Sequence, residues 1–329
     1  LAGATYGSSL TKHDAALRDN LSNNLSVFGT FAYSYDRRYI LNANVRTDAS
    51  NRFGQYTNNR FLPVWSLAGR WAIHEENLFQ SIDWLSDLSI RASYGHQGNV
   101  VQQIGPELVA AYGDKIVDPV SGQYILNISS LPYPDLRWEK TASSNIGLDF
   151  SFVKNRFGLS LDYYNKTGKD IIFQVPTALE YGVAHAYKNG AKLKNEGFEI
   201  ALHATPIAKK DISWTISANI ARNSNHVYNA GALNTYADYL TGNTFVDGES
   251  AGTFYSYKFV GLDPTQGLPL IDRINTNKVE NDLLPSEFLV RSGRKDPMVT
   301  GGFNMSFRYK NMSIEGSSAF NLGQHKRLN

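Results

Sequence analysis

Cysteine is absent from the 329 residues, which excludes a disulfide framework and thiolate-held zinc or iron–sulfur sites. That absence leaves the compartment open. Charge of one sign is also lacking: 32 Lys and Arg against 30 Asp and Glu give a net charge of +2. A nucleic-acid surface needs basic residues clustered on one face, so the balance argues against one. No apolar run approaches the ~18–20 residues of a transmembrane helix. A β-barrel escapes that exclusion, because only every second residue of its strands meets lipid. Leu1 opens the chain without Met, a basic leader or an apolar leader segment, and the last residues, GQHKRLN, are polar. Both ends read as cuts, so residues 1–329 are expected to be an internal piece of a longer protein.

Helix signals are few. Residues 75–87 begin with acidic side chains and place apolar ones at Leu78, Phe79, Ile82 and Leu85, which predicts a turn or two of helix. Almost everything else regular has period two. The segment YILNANVRTD alternates Leu41, Ala43 and Val45 with Asn42, Asn44, Arg46 and Asp48. Side chains of a strand point to alternate faces, so one face is apolar and the other strongly polar. The same pattern predicts ten strands: 25–35, 39–48, 61–74, 88–95, 137–152, 157–167, 196–204, 211–222, 298–309 and 312–321.

The connections alternate in length. Residues 36–38, 153–156, 205–210 and 310–311 are short and 75–87 moderate, whereas 49–60, 96–136, 168–195 and 223–297 are long. Short turns on one rim and long loops on the other are the pattern of an outer-membrane barrel, with turns in the periplasm and loops outside the cell. Aromatic residues at strand ends, among them Tyr33, Tyr35, Tyr39 and Tyr163, fit interfacial belts. A soluble sandwich with an aromatic core remains open on periodicity alone. Unequal loops and Asn-, Ser- and Arg-rich faces favour the transmembrane antiparallel barrel.

No catalytic constellation stands out. The seven His (His13, His74, His96, His185, His203, His226 and His325) are scattered, and no ligand-spaced pair, nucleophile elbow or phosphate-binding loop occurs. No enzyme, metal or cofactor is therefore expected. Asp149 and Asp162 fall on polar strand faces, where they can hydrogen-bond across strands. Four Asn-x-Ser patterns, at Asn24, Asn127, Asn304 and Asn311, carry little weight. Tyr112, Tyr133, Trp138, Tyr181, Tyr236 and Tyr239 in the long loops are candidate substrate-facing aromatics, and packing of loop on loop is the competing explanation. Asn42, Asn44, Arg46, Arg70, Arg91 and Arg308 are candidate lumen-facing polar residues, to guide solute, anchor a plug or brace the wall.

Particular strings resemble a known family. YSYDRRYILNANVRTDASNRFG, FLPVWSLAGRWAIHEENLF with WLSDLSIRASYGHQGN, and LPYPDLRWEKTASSNIGLDFSF with LDYYNKTGKDII are similar to SusC/RagA-type TonB-dependent transporters of Bacteroidetes outer membranes. NEGFEIALHATPI, GTFYSYKFVGLDPTQGLPLID and DPMVTGGFNMSFRYKNMSI continue the likeness in family order over nearly the whole chain. The resemblance implies a plugged barrel of about 22 strands, of which ten would lie here. It implies active import of an oligosaccharide or peptide, energised through TonB, with a SusD-like surface lipoprotein over the loops. No plug, TonB box or aromatic final strand is found in these residues, so no TonB-coupling residue is assigned. A surface glycan-binding β-protein and a passive porin are the alternatives.

Overall fold

The computed structural model describes residues 23–50, 61–99, 104–117, 120–229, 231, 234, 236–242, 244–272 and 289–326. In chain order the strands are β1 (Asn24–Tyr35), β2 (Tyr39–Ser50), β3 (Phe61–Ala72), β4 (Leu85–Asn99), β5 (Val109–Val117) and β6 (Tyr124–Ser130). Next come β7 (Glu139–Phe152), β8 (Phe157–Pro176), β9 (His185–Ala208) and β10 (Ile212–Tyr228), then one short helix, α1 (Tyr236–Thr241). Strands β11 (Thr253–Tyr257), β12 (Phe259–Leu262), β13 (Pro269–Ile271), β14 (Leu289–Arg294), β15 (Val299–Tyr309) and β16 (Met312–Leu322) complete the order.

Ten of these form one sheet in the order β1-β2-β3-β4-β7-β8-β9-β10-β15-β16. Every neighbouring pair is antiparallel. The wall is thus an up-and-down meander, and all ten strands expected from periodicity are present. The other six strands pair as β5-β6, β11-β14 and β12-β13 inside the two longest connections.

Register carries the alternation across the wall. Val45 of β2 faces Gly29 and Trp65, and Ala43 faces Phe31 and Leu67. Further along, Leu148 faces Ile90 and Leu161, and Ile216 faces Met305. The opposite face aligns Asn44 with Ser66, Asp149 with Ser160, and Ser217 with Asn304. The apolar side is open: Val45 is 57% exposed, Ile146 54% and Phe198 61%. Among the described residues no second sheet covers it, as a sandwich would require. A continuous apolar band of this extent in an unpartnered sheet is what lipid, not water, accommodates.

The short turns have the backbone that tight hairpins need. Asp36 and Arg37 both have positive φ, 49° and 57°, and Arg38 N–H donates to Tyr35 O at 3.0 Å. That is the mirror-image turn whose twist matches the flanking strands.

Two expectations need correction. The helix expected over 75–87 is instead a single 3-10 turn, Ile73–Glu75, followed by hydrogen-bonded turns, and Leu85 already opens β4. Leu78 is 80% exposed there, so the segment has no surface against which an apolar helix face could be buried. The long loop expected over 168–195 is mostly strand, because β8 and β9 continue past the wall as a two-stranded extension tipped by the turn Leu179–Tyr181.

Candidate functional site

The polar face is braced by a chain of ion pairs. Arg46 Nε donates to Asp48 at 2.8 Å and its Nη2 to Ser26 Oγ at 3.3 Å. Asn44 Nδ2 donates to Ser66 Oγ at 3.2 Å. Arg70 Nη2 reaches Asp87 and Ser89, both at 3.2 Å. His74 Nδ1 lies 3.0 Å from the same Asp87 carboxylate.

Arg91 holds the most elaborate node. Its Nε donates to Asp149 at 2.6 Å, and its Nη2 donates to Asp162 at 3.0 Å, spanning β4, β7 and β8. Ser160 Oγ donates to Asp149 at 2.8 Å. The guanidinium can cross β7 because Gly147 lies beneath it: a Cβ there would come within 2.8 Å of Arg91 Nη2 and 2.6 Å of Asp162 Oδ1. Asn42 sits between Ala32 and Ala68 in register, on the same face. Arg308 shares that face but lies beside a turn, and its Nη1 donates to Lys210 O at 3.4 Å.

The loop aromatics fall into different environments. Trp138 is buried, at 9% exposure, against Leu62, with Val64 beside the pair. Tyr133 N–H donates to Pro106 O at 2.8 Å, and its hydroxyl accepts Asn189 N–H at 3.0 Å. Tyr239 of α1 meets Tyr255 edge to face, with centroids 5.0 Å apart. Tyr181, at the tip of the β8–β9 extension, is 58% exposed. Tyr112 and Tyr236 lie on strand β5 and helix α1, but their side chains fall outside the described residues. Among the described residues, Tyr133, Trp138, Tyr181 and Tyr239 lie in separate environments and form no shared stack.

A node that composition and spacing did not reveal fastens the extracellular side. Asn189 binds the backbone of Arg137 on both its N–H and its carbonyl, and also donates to Asp170 O at 2.7 Å. Arg137 Nη2 pairs with Asp170 at 2.7 Å. Asp170 has a φ of 56°, beside the bulges where β8 and β9 change register. Asn189-Gly190 reads as a turn dipeptide in sequence, and the only other signal was the aspartate at 170. In the β12–β13 hairpin, Asp263 accepts the N–H groups of Thr265 and Gln266, and these hold its carboxyl below the usual range. Among the described residues no group of three or more His, Asp or Glu is placed to hold a metal.

An antiparallel wall with one open apolar face, a braced polar face and elaborate loops on one rim defines the class of outer-membrane β-barrels. The family model for the TonB dependent receptor-like β-barrel matches residues 3–291, and the chain belongs to that family. TonB-dependent receptor P39 of Formosa agariphila is 33% identical over 240 residues, 72% of this chain and 22% of the relative. TonB-dependent receptor SusC of Bacteroides thetaiotaomicron is 33% identical over 228 residues, 65% of this chain and 22% of that protein. The solved structure of the RagAB peptide transporter superimposes with a TM-score of 0.75 at 28% identity, over 92% of this chain and 34% of that one. The chain thus spans between 22% and 34% of the lengths of these relatives. The family is one of receptors and transporters of the bacterial outer membrane rather than enzymes. In a barrel of this kind the apolar face of the wall meets lipid.

Proposed function

We propose that this chain is a contiguous part of the wall and loops of a 22-stranded importer that takes up an oligosaccharide or a peptide. Energy would come through TonB, acting on segments outside these residues, and a SusD-like surface lipoprotein would sit over the loops. The observation that supports this reading best is the lumenal ladder Arg46–Asp48, Arg70–Asp87 and Arg91–Asp149–Asp162. Its three arginines are each paired, against four aspartates, so the ladder braces a wide lumen and leaves only a slight negative field there. A weak field suits an uncharged glycan or a mixed-charge peptide better than one anion or cation.

Among the loop aromatics, Tyr181 is the leading candidate for contact with solute, because it stands exposed on a two-stranded support. Uptake of labelled oligopeptides and oligosaccharides by cells carrying the full-length receptor tests the reading. Import that stops with an uncoupler and with loss of TonB is the expected result. Uptake that survives both is that of a passive porin and would overturn it, as would binding at the surface without entry of label.

A further inference from the structure

We propose that three adjacent periplasmic turns form a lysine ledge that binds anionic phospholipid headgroups of the inner leaflet. The turns β7–β8, β9–β10 and β15–β16 follow one another along the rim. With strands ~4.8 Å apart, neighbouring turns lie about 10 Å from each other. They carry Lys154, Lys209, Lys210 and Lys310, all exposed, together with Arg156 and Arg308, against one acid, Asp211. None of the four lysines forms an ion pair among the described residues.

The other half of the rim is built differently. There Arg38 is paired with Asp36 at 3.1 Å and Glu76 at 3.4 Å, and Arg37 lies 3.9 Å from Glu75. Positive charge is compensated on that side and uncompensated on the lysine side.

Two further observations place the free charge against the membrane. Lys310 Nζ stands 5.5 Å over the ring of Tyr309. Tyr309 is in phase with Phe303, Met305 and Phe307 on the lipid face, opposite Ile212 and Met312. The ammonium is therefore on the bilayer side of the wall, at headgroup depth, as in a lysine that snorkels along an aromatic. The turns are also stitched together. Arg156 donates to Thr205 O at 3.0 Å and to Pro206 O at 2.6 Å, while Lys310 N–H donates to Asp211 O at 2.7 Å. The two guanidiniums serve as braces, and the four ammonium groups remain for a partner. A phosphodiester headgroup supplies the complementary charge, and each lysine near an anionic surface contributes about a fivefold preference.

The test is native mass spectrometry of the full-length receptor in mixed micelles of phosphatidylglycerol and phosphatidylcholine. A preference for phosphatidylglycerol of about a hundredfold or more is expected, falling at least about tenfold in the variant K154S/K209S/K210S/K310S. K310S alone and K209S/K210S should each lose part of it, which keeps the test informative if the fourfold variant folds poorly. R37S, on the other half of the rim, should retain the preference. An excess of inorganic phosphate should not displace the lipid. No preference in the natural protein, full retention in the lysine variants, or displacement by phosphate would each overturn the proposal.

Discussion

The side chain of Asn189 grips the backbone of Arg137 from both sides, its Oδ1 accepting the N–H at 3.1 Å and its Nδ2 donating to the carbonyl at 2.9 Å. It thereby behaves like one more strand residue, and ties the β4–β7 connection to the β8–β9 extension. Asn189→Ala should release that connection, at a local cost of about 1–3 kcal/mol for the part-buried groups left unpaired. Hydrogen exchange across residues 131–138 of the full-length receptor is expected to accelerate. Unchanged exchange there would show that Asn189 is not the tie.

Trp138 and Tyr181 should separate packing from recognition. Removing the Trp138 ring empties the space against Leu62 and should cost about 3–5 kcal/mol of local stability. Tyr181 is 58% exposed, so Tyr181→Ala should leave stability within about 0.5 kcal/mol and weaken solute capture instead. Proteolysis of the loops and solute-binding affinity, measured on the same variants, distinguish the two. Equal losses of both in each variant would count against the division.

Glycines of the wall should differ sharply. A Cβ at Gly197 would press on the backbone carbonyl of Arg222 and come within 2.7 Å of Tyr164 Oη, whose hydroxyl is already bonded to Asn223. Gly197→Ala should cost about 1–3 kcal/mol. At Gly69 the nearest atom, Ile40 O, is 4.0 Å away, so Gly69→Ala should be near neutral. Urea midpoints of the refolded full-length receptor compare the two, and a Gly69 variant as unstable as the Gly197 variant would contradict the geometry.

Acid should loosen the periplasmic rim through Glu76, which lies in the connector outside the wall. Hydrogen bonds from Tyr39 at 2.6 Å and Trp71 at 3.0 Å, with Arg38 nearby, hold its carboxyl below the ordinary value of 4.5. A depressed folded pKa means that the stabilisation is complete above the unfolded value and is lost as pH falls through the folded one. Below pH 4.5, indole emission of the natural protein should therefore change in a step that Glu76→Gln lacks. Superimposable acid profiles would remove Glu76 from this role.

The wall was legible in the sequence because lipid and lumen impose opposite polarity on successive residues. Leu41, Ala43 and Val45 against Asn42, Asn44 and Arg46 need no partner to be recognised. Above the bilayer that constraint ends. The outer part of β8, with Ile171, Ile172 and Phe173 in succession, reads as loop because bulges there shift the phase of the alternation. Arg91 was assignable to a face, but its choice of Asp149 and Asp162 depends on register across three strands. Trp138 and Tyr181 are both loop aromatics in sequence. Only the return of Leu62 beneath one of them separates a packed ring from a presented one.

Strands β10 and β15 stay in unbroken register from Ile212 opposite Tyr309 to Arg222 opposite Val299, although α1 and four short strands intervene between them. The wall hydrogen bonds therefore close without reference to what is inserted above them. The insertion is tied instead to the outer end of β10, where Val227 exchanges backbone bonds with Gly248 and Glu249 and Asn225 binds Ser250, beyond the seam that ends at Arg222. The seam that crosses the membrane and the tie that holds the insertion are therefore separate sets of bonds, and a change in one leaves the other's partners in place.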